Sequence, residues 1–397
     1  MLIISLDAVG DDEYERLMEQ PVFSAFAGQA SVHRGLSTIF VSNTYPIHAS
    51  IVTGVTPAVH GLVSNTERFP AASPVWNDSE GCLRVKTLWQ AAAESGLDTA
   101  AVFWPVTAFS KTIRYNIPEV LPRPGKSQIM TSLRAGSTGL QLRLFLRHRK
   151  LLKGISQPDR DNFATACMVD ILHQMNKRQR TNHKPWLALM HLTAYDSICH
   201  YYGKDSAELP PVIKSLDRNL GLLLDAAGDT DVIILTDHSQ INVHTSVELN
   251  EILISKGLMS RGDGFYVGGE SGCFFECCGG SAFFHAGSLP ADKVGEVREA
   301  VGRTEGFGRF LSGTELSESG YGDVAFGLGA IPGYAFTALT EAHKAEHGYP
   351  TDTHGFSVFY MTRGFGLQPG AAQGGSLLDI APLVTARLGG FPFHSKI

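Results

Sequence analysis

Three short apolar runs, each followed by acids, constrain the fold of this chain more than any other feature. They are LIISL at Leu2 to Leu6, WLALMHL at Trp186 to Leu192, and DVIIL at Asp231 to Leu235. A continuous apolar run without alternation suits a strand buried on both faces, as in a parallel sheet covered by helices. In such a sheet the carboxyl ends of the strands share one edge, where open α/β proteins bind their ligands. The first run ends in Asp7, the second leads to Asp196 and His200, and the third to Asp237 and His238. Asp196 and His200 are four apart, so a helix at that point turns both to one face.

The intervening segments supply helices. KTLWQAAAES stops at Gly96, a common end signal. Asp159 to Met175 carries Phe163, Cys167, Ile171 and Met175 at spacings of four, and Pro211 to Ala226 has a clear apolar stripe. With 43% apolar residues over 397, the chain can bury a large core. Beyond Lys256 glycine and aromatic residues dominate. The expectation is an inserted, partly antiparallel α+β cap subdomain at 257–345 around a helix from Ala291 to Gly302, with 1–256 and 346–397 forming the main α/β domain.

Charge and composition exclude some classes. A net charge of −6 argues against a nucleic-acid-binding footprint, whereas small anionic substrates stay compatible because a local metal can reverse the field in a pocket. No run approaches the ~18 apolar residues of a membrane span, and acids follow the first strand at once, so a cytoplasmic protein without a membrane partner is expected. The basic segment LQLRLFLRHRKLLKG reads as a solvated helix. Cys273, Cys277 and Cys278 lack a paired CxxC spacing and read as packed residues.

Gathering Asp7, Asp196, His200, Asp237 and His238 at one sheet edge would be self-repelling without cations. Divalent metal ions supply the compensation, and mixed Asp/His ligation suits zinc better than calcium. The stretch NTYPIHASIVTGVTPAVHGLVSN, from Asn43 to Asn65, adds a hydroxyl. Pro46 fits the first turn of a helix, which makes Thr44 a candidate N-cap. The same position among free amides at a positive helix end can also meet a phosphoryl group.

These motifs together resemble the nucleotide pyrophosphatase/phosphodiesterase family of the alkaline phosphatase superfamily. TYPIHASIVTGVTPAVHGLVSN is similar to its nucleophile segment, AYDSICHYYG to its Asp-x-x-x-His metal segment, LTDHS to its Asp-His-Gly segment, and EHGY to its late His-Gly-Tyr segment. The resemblance implies a three-layer sandwich with a mostly parallel sheet and two divalent metals, zinc foremost. Asp7, Thr44, Asp237 and His238 would hold one metal; Asp196, His200 and His347 the other, with His354 the runner-up. It further implies hydrolysis of phosphodiester or pyrophosphate bonds in nucleotide-type substrates through a phosphothreonine on Thr44. Asn65 would donate to a phosphoryl oxygen and Tyr45 would flank the leaving group. The alternatives are a phosphomonoesterase or phosphonate hydrolase of the same superfamily, and a metal-stabilised binding protein without turnover. Ser239 and Val106 stand where the family usually has glycine, and both are expected to reshape the pocket wall. His48 and His60 read as structural.

Overall fold

The apolar runs form the middle of an eight-stranded sheet, which runs Gly370–Ala372, Ser31–Ser37, Ser357–Arg363, Val232–Thr236, Leu2–Leu6, Trp186–Leu192, Asp98–Val102, Tyr115–Ile117. The computed structural model describes residues 1–68, 75–121, 125, 127–153, 156–262, 266–337 and 343–390. All strand pairings in this sheet are parallel except those of Ser357–Arg363, which runs antiparallel to both neighbours. Leu6 is in register with Leu192 on one side and Thr236 on the other. Asp7, Thr193 and Asp237 therefore leave the sheet at one level.

Consecutive strand residues turn to opposite faces, and both faces are buried. On one, Leu2, Ile4 and Leu6 join a core with Cys167, Ile171, Leu216 and Leu220 from the helices Asp159–Asn182 and Leu209–Ala227. On the other, Ile3, Leu189, Ile233 and Leu235 share a core with Ile47, Ile51, Trp89 and Val384. At about 1.5–3 kcal/mol for each large apolar side chain fully buried, these two cores dominate the favourable side of folding. They explain why the central strands read as unbroken apolar runs.

A second, antiparallel sheet of Phe274–Cys277, Ser281–His285, Phe326–Ala330 and Phe307–Phe310 packs with the helix Ala291–Gly302, whose limits are those read from the sequence. Its core of Phe275, Phe284, Val297 and Leu328 also takes in Leu249, Leu253, Tyr349 and Phe356, from outside 257–345.

Candidate active site

The helix Thr44–Thr53 starts one residue earlier than a Thr44 cap requires: Asn43 is the N-cap, with extended backbone, and Thr44 is the first helical residue. The first helical amide bond, Ile47 N–H to Asn43 O at 3.2 Å, lies beyond Pro46, so the proline removes only a donor that the helix end leaves unpaired. Among the described residues the Thr44 hydroxyl caps no backbone amide. Its Oγ1 lies 3.2 Å from His238 Nε2. The amide of Tyr45 donates to Asn65 Oδ1 at 2.9 Å, which fixes the asparagine beside the helix end.

Around that hydroxyl the sheet edge delivers its acids and imidazoles. Asp7, Asp237 and His238 each offer a ligand atom, all within 4.8 Å of one another, and Asp196, His238 and His347 do the same. His200 Nε2 is 3.2 Å from Asp196 Oδ1, as the four-residue spacing on the helix Ala194–Tyr202 predicts. The other ring nitrogen of His200 donates to the Ala345 carbonyl at 2.9 Å, which aims Nε2 at the cluster. His347 enters the cluster, whereas His354 is exposed on the following loop.

The electrostatics mark the cluster as incomplete on its own. Burial, then Asp196 and Asp237, push the Asp7 carboxyl well above its ordinary range, and burial raises that of Asp237 to about 7. Burial also lowers His238 to about 4 and His347 to about 3, leaving neutral imidazoles with lone pairs to offer. At Asp196 burial pushes the carboxyl up, but the charge and hydrogen bond of His200 outweigh it and hold it below the usual range. Asp7 Oδ1, Asp237 Oδ2 and His347 Nδ1 are buried without a hydrogen-bond partner among the described residues. Buried polar atoms are normally satisfied, so orphaned oxygens beside neutral imidazoles fit divalent cations, with donors of the zinc type.

Several supporting residues were not legible in the sequence. His191, inside an apolar strand, brings Nε2 within 3.2 Å of Asp7 Oδ2. Gln240 donates to Asp196 Oδ1 at 2.5 Å. Asp161 accepts the amides of Thr193 and Ala194 at 3.1 and 2.9 Å and so anchors the start of the helix that carries Asp196 and His200. His48 uses both nitrogens on neighbours, Thr44 O at 2.8 Å and Ser5 Oγ at 2.9 Å, in keeping with a structural role. Tyr45 is 1% exposed, and its ring packs against Trp76 within an apolar cluster with Ala49, Leu62, Leu83 and Val106. Val106 holds φ +62°, a backbone region costly for a β-branched residue. Ser239 turns its hydroxyl to the other side, toward Lys204 Nζ at 3.3 Å, where a Cβ on Gly10 would stand 2.3 Å from it.

Residues 1–279 match the family model of type I phosphodiesterase / nucleotide pyrophosphatase. The chain belongs to that family. Among curated members, it is 26% identical over 249 residues to an uncharacterised pyrophosphatase/phosphodiesterase of Schizosaccharomyces pombe, covering 60% of this chain and 44% of that protein. To human ectonucleotide pyrophosphatase/phosphodiesterase family member 5 it is 22% identical over 269 residues, covering 64% of this chain and 48% of the relative. The chain thus spans less than half the length of these two pyrophosphatase/phosphodiesterases. The structure of the human member 5 superposes with a TM-score of 0.70 at 17% identity, covering 100% of this chain and 97% of the other. An inactive variant of the murine protein in complex with AMP gives 0.65 at 16% identity, with the same coverage. The fold is accordingly that of the nucleotide pyrophosphatase/phosphodiesterases in the alkaline phosphatase superfamily: mixed α/β around a large, mostly parallel central sheet.

Proposed function

We propose that this chain hydrolyses phosphodiester or pyrophosphate bonds in nucleotide-type substrates, with Thr44 as nucleophile and two divalent metals, zinc foremost, as cofactors. The observation that carries the reading is the Thr44 hydroxyl, set at a helix N-terminus and 3.2 Å from His238, which joins one ligand group with Asp7 and Asp237 and another with Asp196 and His347. Asp7, Thr44, Asp237 and His238 would hold one ion, and Asp196, His200 and His347 the other. When bound, such ions lower the pKa of a hydroxyl and of water and neutralise phosphoryl charge.

The protein's own groups then divide the work. Thr44 Oγ1 attacks phosphorus, the ester oxygen leaves with the bonding electrons, and water later frees the phosphorylated threonine. The Thr44 backbone amide at the start of the helix and the Asn65 side-chain amide donate to the nonbridging oxygens, where charge grows in the transition state. The murine neighbour's complex with AMP supports a nucleotide as the class of substrate.

Rates on bis-p-nitrophenyl phosphate, p-nitrophenyl phosphate and a nucleotide panel, with chelator controls, test the proposal. Diester and pyrophosphate turnover that a chelator abolishes is expected, and Thr44→Ala should remove it while bound metal is largely retained. Monoester turnover alone would make the chain a phosphomonoesterase. Retained metal with no hydrolysis of any ester would make it a binding protein.

A further inference from the structure

The basic segment read from the sequence as a solvated helix has an outer face that is not polar. Six of the fourteen large apolar side chains exposed among the described residues fall within 129–151: Ile129, Met130, Leu142, Phe145, Leu146 and Leu151. Ile129 is 71% exposed and Leu146 64%. They belong to two consecutive helices, Gln128–Ala135 and Thr138–His148, and the turn that follows. On the second helix Leu142, Phe145 and Leu146 follow i, i+3, i+4 spacing and form one stripe. The opposite side, Gln141 and Leu144, is buried.

The pair of helices is held firmly, so the exposure does not reflect loose packing. Gln141 donates to the Ser132 carbonyl at 2.9 Å and accepts from the Ser132 hydroxyl at 3.0 Å, tying the helices together. His148 and Arg147 both reach Asp170 on the long helix beneath, at 2.9 and 3.1 Å. The charge is one-sided. Between Glu119 and Asp159 the sequence contains no acid, in a chain whose net charge is −6. Arg134, Arg149, Lys150 and Lys153 have no ion-pair partner among the described residues.

We propose that this face docks on the surface of an anionic lipid bilayer, with the Leu142–Phe145–Leu146 stripe entering the headgroup boundary and the flanking cations meeting lipid phosphates. An amphipathic helix of this kind lies in the interface plane, and each nearby Lys or Arg adds to its affinity for anionic lipid. A second copy of the chain fits less well. A two-fold contact sets the same patch against itself, so the unpaired cations would oppose one another across it. The proposal is independent of the reaction assigned to Thr44.

Co-sedimentation of the full chain with vesicles tests it, using pure phosphatidylcholine and an equal mixture of phosphatidylcholine and phosphatidylglycerol. Binding to the mixed vesicles alone is expected, and it should weaken as salt shortens the reach of the charges. Replacing Leu142, Phe145 and Leu146 together by Ser should reduce the partition coefficient about tenfold or more, as should Arg149→Gln, Lys150→Gln and Lys153→Gln combined. Leu222→Ser, an exposed leucine on another helix, should leave it unchanged. Because every altered side chain is exposed, circular dichroism and melting should match the parent. Failure to sediment with mixed vesicles, or sedimentation that neither triple variant reduces, overturns the proposal. So does a dimer that the apolar triple variant dissociates in the absence of vesicle binding, since a second copy would then cover this face.

Discussion

The side-chain oxygen of Asn65 accepts the Tyr45 amide, and its NH2 group, with no partner among the described residues, is the proposed donor to a phosphoryl oxygen. Loss of one such donor in a prearranged site costs about 100- to 1000-fold in rate. Asn65→Ala should therefore lower kcat on a diester by that order with a smaller change in KM, and steady-state kinetics showing less than a few-fold loss would remove Asn65 from the chemistry. His347 and His354 offer a second test at this scale, because each precedes a glycine and only His347 joins the ligand cluster. Counting bound zinc by atomic emission should give one ion fewer in His347→Ala and no change in His354→Ala. Full occupancy in the first variant would transfer the ligand role elsewhere.

At the scale of elements, the turn that carries His347 depends on the glycine after it. Gly348 has φ +82°, and a Cβ there would stand 1.7 Å from the Cys278 carbonyl oxygen, beside the 2.8 Å bond from Gly280 N–H to His347 O. No flexible side-chain end is available to yield; the backbone itself must move. Gly348→Ala should cost a few kcal/mol, combining the left-handed strain with the clash, and displace His347 with it. Thermal melting and zinc content should fall together, and a variant with parental melting and two ions would show the turn to be adaptable.

The same contrast between local pattern and distant contact explains what could be read beforehand. Leu2–Leu6 and Trp186–Leu192 were legible to the residue because unbroken apolar runs have few other uses, and their adjacency follows from parallel pairing. The Asp196 and His200 pair was legible from helical spacing alone. His191, Gln240 and Asp161 were not: each acts on a ligand-bearing element through a contact set only by tertiary packing, and a histidine inside WLALMHL carries no periodic signal. The exposed apolar stripe at Leu142, Phe145 and Leu146 was hidden for the converse reason. An imperfect helical face does not reveal which of its sides the rest of the molecule covers.

Across the whole molecule, several histidines are buried as neutral groups, and this sets the sign of its response to acid. His60 is the cleanest case because it stands apart from the candidate ligand groups: its nitrogens meet Ser50 Oγ at 2.8 Å and the Leu62 amide at 3.2 Å. Burial lowers its pKa from 6.5 to about 3. Above pH 6.5 the imidazole is neutral in both states and contributes no pH dependence. Between 6.5 and about 3 the unfolded chain takes up a proton that the folded chain refuses, so stability falls as pH falls. Below about 3 both states are protonated and the loss levels off. From pH 7 to pH 5 this one group should remove roughly 2 kcal/mol, whereas Asp7 and Asp237, with raised pKa values, act in the opposite direction as acid relieves their repulsion. Comparison with a variant isolates the imidazole from these opposing terms. His60→Gln keeps a polar side chain but cannot titrate, so its unfolding free energy in urea should fall less between pH 7 and pH 5 than that of the parent, by up to about 2 kcal/mol, whatever its stability at pH 7. Equal slopes for the two proteins would mean that His60 is protonated in the folded state, and that the Ser50 and Leu62 contacts do not hold it neutral.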